Sequence, residues 1–225
     1  MMMRWSSALV ALGLLVLSGC DSPPLGKVGD TMLAQAADTR KLGDGPAATI
    51  ELDAVKMDAL PSEAEIRLAI GKRVPWHRVR DTVAALEKAG KKVVLLSAQR
   101  RRIGAFALYD QVGPRPIDVV TRTDGTACVR LPGVKEAKCV QRADAMHIDR
   151  AHLRQLTREA VRKSKIKEAR VFVPRDMQWA DVVRAIDAVR TCCKESLRPK
   201  AKLIDLETRK KNKDEPETVL VDSPE

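Results

Sequence analysis

The sequence predicts an α+β protein of two layers, with helices packed on one face of a mixed β-sheet and a strand–helix–strand unit that occurs twice. Three observations carry this expectation. The chain resembles itself: when Glu65-Ile66-Arg67-Leu68-Ala69-Ile70 is laid over Glu168-Ala169-Arg170-Val171-Phe172-Val173, Trp76 falls on Trp179. After each tryptophan the apolar residues recur every three or four positions, as one face of a helix requires. Between the two copies, β-branched runs flank Thr123-Asp124-Gly125, and Asp-Gly supplies the positive φ of a hairpin turn.

The elements follow in chain order. Met1 to Arg4 is a short positive start, Ala8 to Leu17 an apolar run, and Ser18 and Gly19 are small; residues 1–19 read as a secretory signal. As a helix the apolar run reaches roughly 15 Å, half of a hydrocarbon core of about 30 Å, which is short for a permanent span. Leu17-Ser18-Gly19-Cys20 resembles the bacterial lipobox, which implies cleavage before Cys20 and acylation of that residue. Each buried methylene contributes about 0.8 kcal/mol, so several acyl chains on one residue anchor a body durably. Asp21 after the lipidated cysteine points to the inner rather than the outer membrane, with the body in the periplasm. Residues 20–47 are small, polar and punctuated by Pro and Gly, as in a tether.

A first module is expected over 48–112. It opens on the strand Thr49-Ile50-Glu51-Leu52 and continues with the strand from Glu65 to Ile70. A helix carrying Trp76, Val79, Val83 and Leu86 on one face leads to the strand Val93-Val94-Leu95-Leu96. A second module is expected over 113–206. Ile117 to Thr121 and Ala127 to Val129 form its hairpin, and Asp149 caps a helix from Arg150 to about Lys163 with Leu153, Leu156, Ala160 and Val161 inward. The second copy of the unit follows: Glu168 to Val173, a helix with Trp179, Val182, Ile186 and Val189 inward, and Ala201-Lys202-Leu203-Ile204. Residues 207–225 lose apolar content and read as a mobile tail of basic and acidic residues, in which Thr218 to Val221 could add an edge strand.

Composition excludes several function classes. Among 225 residues there are three Trp, one Tyr and two Phe, too few for an aromatic sugar cleft or a stacking platform for single strands. The 41 Lys and Arg against 30 Asp and Glu leave a net charge of +11. Outside the cytoplasm the anionic partners are lipid headgroups and peptidoglycan carboxylates, so the charge is not read as nucleic-acid binding. Nucleophile elbow, phosphate loop, zincin helix and a convincing pair of carboxylates are all lacking, so neither an enzyme nor a cofactor is expected.

The run V-T-R-T-D-G-T-A-C-V from Val120, a helix, and then A-R-V-F-V-P-R-D-M-Q-W-A-D-V-V-R-A-I-D-A-V-R from Ala169 resemble the periplasmic domain of the ExbD/TolR biopolymer-transport family. The resemblance runs from Ile117 to Leu206 and rests on the apolar framework, the Asp124-Gly125 turn, and Trp179 followed by Val182-Val183 and Ile186-Asp187. Glu65 to Ser97, with Gly71-Lys72-Arg73-Val74-Pro75-Trp76 and the closing Lys88-Ala89-Gly90, looks like half of the same domain again. Two departures limit what this implies. The family's transmembrane helix carries an essential aspartate, whereas the apolar stretch here is acid-free and expected to be cleaved. The family's acid shortly before the aromatic is replaced at Gly71 and displaced to Asp176. The resemblance therefore implies fold and surroundings, not proton transfer: an adaptor of an energised transport complex that binds envelope proteins or peptidoglycan. Because the family works as a homodimer, two related modules in one chain could form internally what two subunits form elsewhere, leaving a monomer.

Several side chains stand out as candidates. Trp76 and Trp179 open equivalent helices, and their rings are expected to seat the first turn of each on its sheet. Arg150, Arg154, Arg158 and Arg162 recur every fourth residue, drift about 40° per step and make one basic stripe. That stripe is either a surface for anions or a solvated helix face. With Cys20 lipidated, Cys128, Cys139, Cys192 and Cys193 remain, an even number in an oxidising compartment. A Cys128–Cys139 bridge would close the loop containing Pro132 and Gly133 and contribute about 2 to 3 kcal/mol. Cys192-Cys193 end the second helix, where one buried and one exposed thiol is the simpler account and a thiol-redox lipoprotein the alternative. His77, His147 and His152 lack ligand spacing with the cysteines, so no metal is expected. A passive peptidoglycan anchor is the remaining alternative.

Overall fold

The structure is a computed structural model that describes residues 26–100, 102–141 and 147–206. The signal segment, Cys20, Arg101 and the 207–225 tail lie outside the described residues.

The fold is α+β. A two-stranded ribbon of β1 (Lys27–Val28) and β2 (Thr31–Met32) precedes β3 (Ala47–Glu51), β4 (Glu65–Ala69), α1 (Trp76–Lys88), β5 (Lys92–Gln99) and β6 (Arg102–Phe106). These are followed by β7 (Ile117–Thr121), β8 (Ala127–Arg130), β9 (Lys138–Val140), α2 (Arg150–Ser164), β10 (Glu168–Val173), α3 (Trp179–Arg190) and β11 (Lys200–Asp205). The larger strands form two mixed sheets, ordered β3-β4-β5-β6 and β11-β10-β7-β8-β9. In the first, Glu65 of β4 is in register with Ala47 and Lys92, both parallel; in the second, Ala169 of β10 is in register with Ile117 and Ala201, again both parallel. The duplicated unit is therefore three parallel strands with a helix between the second and third. The second copy inserts the β8–β9 hairpin and α2 after its first strand. Helices α2 and α3 lie side by side over β8, β10 and β11, and α1 lies over β5.

The expected single sheet is thus two sheets. The chain between them serves both as an edge: β6 pairs antiparallel with β5, and a few residues on, Asp110 N–H donates to Ala201 O (3.1 Å) while Leu203 N–H donates to Leu108 O (3.3 Å) on β11. Local chemistry sets the remaining ends. Gly125 takes φ 85° in the β7–β8 turn, and the Asp124 carboxylate accepts the Thr126 N–H (2.8 Å). Asp149 caps α2 by accepting the Ala151 and His152 N–H groups (2.9 and 3.1 Å).

The stretch expected to be a tether is folded from Gly26 onward. Leu33, Ala34 and Ala36 are buried, Ala36 and Ala98 N–H groups donate to Ala98 and Ala34 carbonyls (both 2.9 Å), and Arg40 exchanges two backbone bonds with Ala105. Its small residues allow this close approach. Gly104 on β6 faces Thr39 so tightly that a Cβ there would collide with its side chain.

Candidate functional site

The two tryptophans meet. Trp76 and Trp179 are almost wholly buried and stack with centroids 6.3 Å apart and planes 13° apart, with Phe106 set edge-on against Trp179 (6.1 Å, 89°). The correction to the sequence reading is that each ring packs on its counterpart and not simply on its own sheet. The backbone around them is exchanged reciprocally. Trp76 N–H donates to Met177 O and Trp179 N–H to Val74 O, both at 2.8 Å; His77 N–H donates to Arg175 O and Ala180 N–H to Lys72 O, both at 3.0 Å. Each of these bonds is the image of another under the repeat, and Pro75 and Gln178 pair antiparallel at the centre. The first N–H groups of a helix lack internal acceptors. Neither Pro75 nor Gln178 caps with its side chain, so each module caps the helix of the other. The junction is a pseudo-two-fold interface within one chain, and a single apolar core runs through both modules.

The arginine stripe of α2 is turned in large part toward α3. Arg150 pairs with the fully buried Asp187, whose other oxygen accepts the N–H groups of Ala37 and Asp38 (2.8 Å each). Arg154 donates to Thr191 Oγ1 (3.0 Å), and Arg158 Nε donates to the Cys192 carbonyl (2.6 Å). Arg158 and Arg162 remain exposed along a shallow polar groove with Gln155 and Glu159. The inner part of the stripe is a clamp between helices, and only its outer part is open to an anion. Asp187 was visible in the sequence as an acid among the apolar residues of α3, but its three partners lie on distant segments.

A second acid at the start of α3, Asp181, is also buried; it takes Arg184 (2.7 Å), the His147 ring Nδ1 (2.9 Å) and the Ile148 N–H (3.3 Å). Among the described residues no set of three His, Cys, Asp or Glu side chains is arranged to hold a metal ion, and no helix is long and apolar enough to cross a membrane.

Cys128 and Cys139 are opposite each other on β8 and β9 and joined by a disulfide, with Cα atoms 4.0 Å apart. Cys192 and Cys193 lie just beyond α3, which stops at Arg190, so helical geometry does not hold them apart; their Sγ atoms are 2.7 Å from each other. Burial and the contact with Cys193 push the Cys192 thiol far above the usual thiol range, against the nearby charges of Arg158 and Arg154.

No protein-family model, no curated protein and no solved structure matches this chain.

Proposed function

We propose that the chain is a periplasmic lipoprotein, anchored by lipid on Cys20, that serves as an adaptor of an ExbD/TolR-type biopolymer-transport system by binding an envelope protein or peptidoglycan. The observation that carries this reading is the reciprocal exchange across the Trp76–Trp179 junction. Two related modules resembling the family's dimeric domain occupy each other's interface in one chain, as an accessory that substitutes for a dimer would require. This reading gives the chain a binding role and assigns it no reaction. The carboxyl ends of parallel strands are where α/β proteins usually bind ligands, and here the loops after β4 and β10 are paired with each other through main-chain hydrogen bonds.

Photo-crosslinking in native membranes tests the docking role, with the photoreactive group at exposed Tyr109 or Arg162. The expected product joins the protein to a MotA/ExbB-type or ExbD/TolR-type membrane protein. Crosslinks confined to sacculi would replace this reading with a passive peptidoglycan anchor, which the exposed Arg158 and Arg162 favour; neutralising both would then abolish co-sedimentation with sacculi. Metabolic labelling with palmitate should mark the wild type and not Cys20→Ser.

A further inference from the structure

Two thiols of this fold have no part in that docking role. Cys192 and Cys193 follow the last turn of α3, where Cys192 N–H still bonds to Val189 O (3.3 Å) but the helix has ended. Their sulfurs, 2.7 Å apart, are nearer than non-bonded sulfurs ordinarily come and farther than a bond of about 2.05 Å. The two differ in access: Cys192 is completely buried, Cys193 is partly exposed. A third feature ties them to the rest of the molecule. The carbonyl of Cys192 belongs to the peptide that links the pair, and it is the acceptor for Arg158 of α2.

We infer that Cys192 and Cys193 are a reversible dithiol–disulfide pair, closed by exchange with an external disulfide, and that closing it loosens the hold of α2 on the end of α3. The exposed Cys193 attacks as thiolate on one sulfur of the external disulfide, forming a mixed disulfide and releasing one thiol. Cys192 then attacks Cys193 Sγ, gives up its proton to the departing thiolate, and a second thiol leaves. Two electrons pass to the external disulfide, which becomes two thiols. Burial and Cys193 keep Cys192 a protonated thiol until the mixed disulfide forms, and the charges of Arg158 and Arg154 offset only part of that cost as it attacks. The new bond closes a small ring containing the Cys192–Cys193 peptide, and the ring's torsional demands turn the carbonyl on which Arg158 rests. A compartment that supports the Cys128–Cys139 bridge also supplies such oxidants.

The test equilibrates the full chain in buffers of reduced and oxidised glutathione, quenches with acid, alkylates free thiols, and cleaves after Arg190 and Lys194 to release Thr191–Lys194. Both cysteines should pass together from doubly alkylated to a species that has lost two hydrogens and carries no alkyl group. Cys192→Ala should instead trap a glutathione adduct on Cys193. Hydrogen exchange supplies the second readout: amides of α2 around Arg158 should exchange roughly tenfold faster in the oxidised protein, the effect of losing one charge-assisted hydrogen bond, and Arg158→Gln should remove the difference. A wild-type protein that keeps a glutathione adduct or a free thiol on Cys193 at every potential overturns the pair. A closed ring with unchanged exchange in α2 overturns the coupling.

Discussion

The side chains with most leverage are two acids whose charge is answered by backbone N–H groups. Asp149 accepts from the backbone of His152, which with further bonds from the His152 ring and Ala151 N–H holds its carboxyl below the usual range despite partial burial. A carboxyl with a lowered folded pKa contributes stability that is complete above its unfolded value of about 3.9 and is lost as pH falls through the folded value. Asn caps as well as Asp but carries no charge. Asp149→Asn should therefore be less stable than wild type by up to about 1 kcal/mol near neutrality, and thermal melts of the two should converge as the pH drops below about 4. Asp187 is the harsher case. Replacing it by Asn takes the counter-charge from the partly exposed Arg150 and the charged acceptor from two backbone N–H groups, and should cost about 2 to 3 kcal/mol in urea denaturation. Changing both Arg150 and Asp187 to Leu should restore part of that loss. Asp149 was legible in the sequence as a cap, and Asp187 only as the acid of the Ile186-Asp187 pair. The sequence could not reveal that Asp187 holds Ala37 and Asp38, because a backbone N–H belongs to every residue type except proline.

At the scale of elements, legibility followed side-chain pattern. Helices α1 and α3 start at Trp76 and Trp179 and bury the residues their periodicity selects, and α2 begins at Arg150 after its Asp149 cap. Strand β6 gave no such signal, since Ile103-Gly104-Ala105 between arginines and Phe106 has neither alternation nor a β-branched run, and β9 is three residues long. The folded 26–47 stretch was misread because its alanines and glycines have the composition of a linker, while their smallness is what lets the backbone lie against β5 and β6. Among the described residues edge strand β9 pairs only with β8, and the Cys128–Cys139 bridge joins them directly. Closing a loop of sequence separation 11 is worth about 2 to 3 kcal/mol in the chain-entropy account. The double variant Cys128→Ser, Cys139→Ser should lose about that much, with hydrogen exchange accelerated first in β8 and β9. Exchange raised equally across β3–β5 would show the bridge to be supporting the whole body.

The whole molecule is organised by the Trp76–Trp179 junction. The duplication was legible because two tryptophans stood at equivalent places, but their meeting was not: Gly71–Pro75 and Pro174–Gln178 share no side-chain pattern, and the bonds between them are carried by main-chain groups. This arrangement makes a definite thermodynamic demand. If each module caps the other's helix and shares one core, neither retains its fold once the junction opens, and unfolding must be a single transition. Trp76 and Trp179 are the only tryptophans among the described residues, so their fluorescence reports the junction while far-ultraviolet circular dichroism reports both modules. The two signals should coincide through a urea titration. Trp76→Ala removes a buried ring and should lower stability by about 3 to 5 kcal/mol, shifting both signals together. Trp76→Phe should cost much less, because it keeps an aromatic face for Trp179 and deletes an indole N–H that is buried without an acceptor among the described residues. A fluorescence change that precedes the loss of helix and strand signal would mean that the modules stand alone, and the reading of the chain as an internal dimer would fall with it.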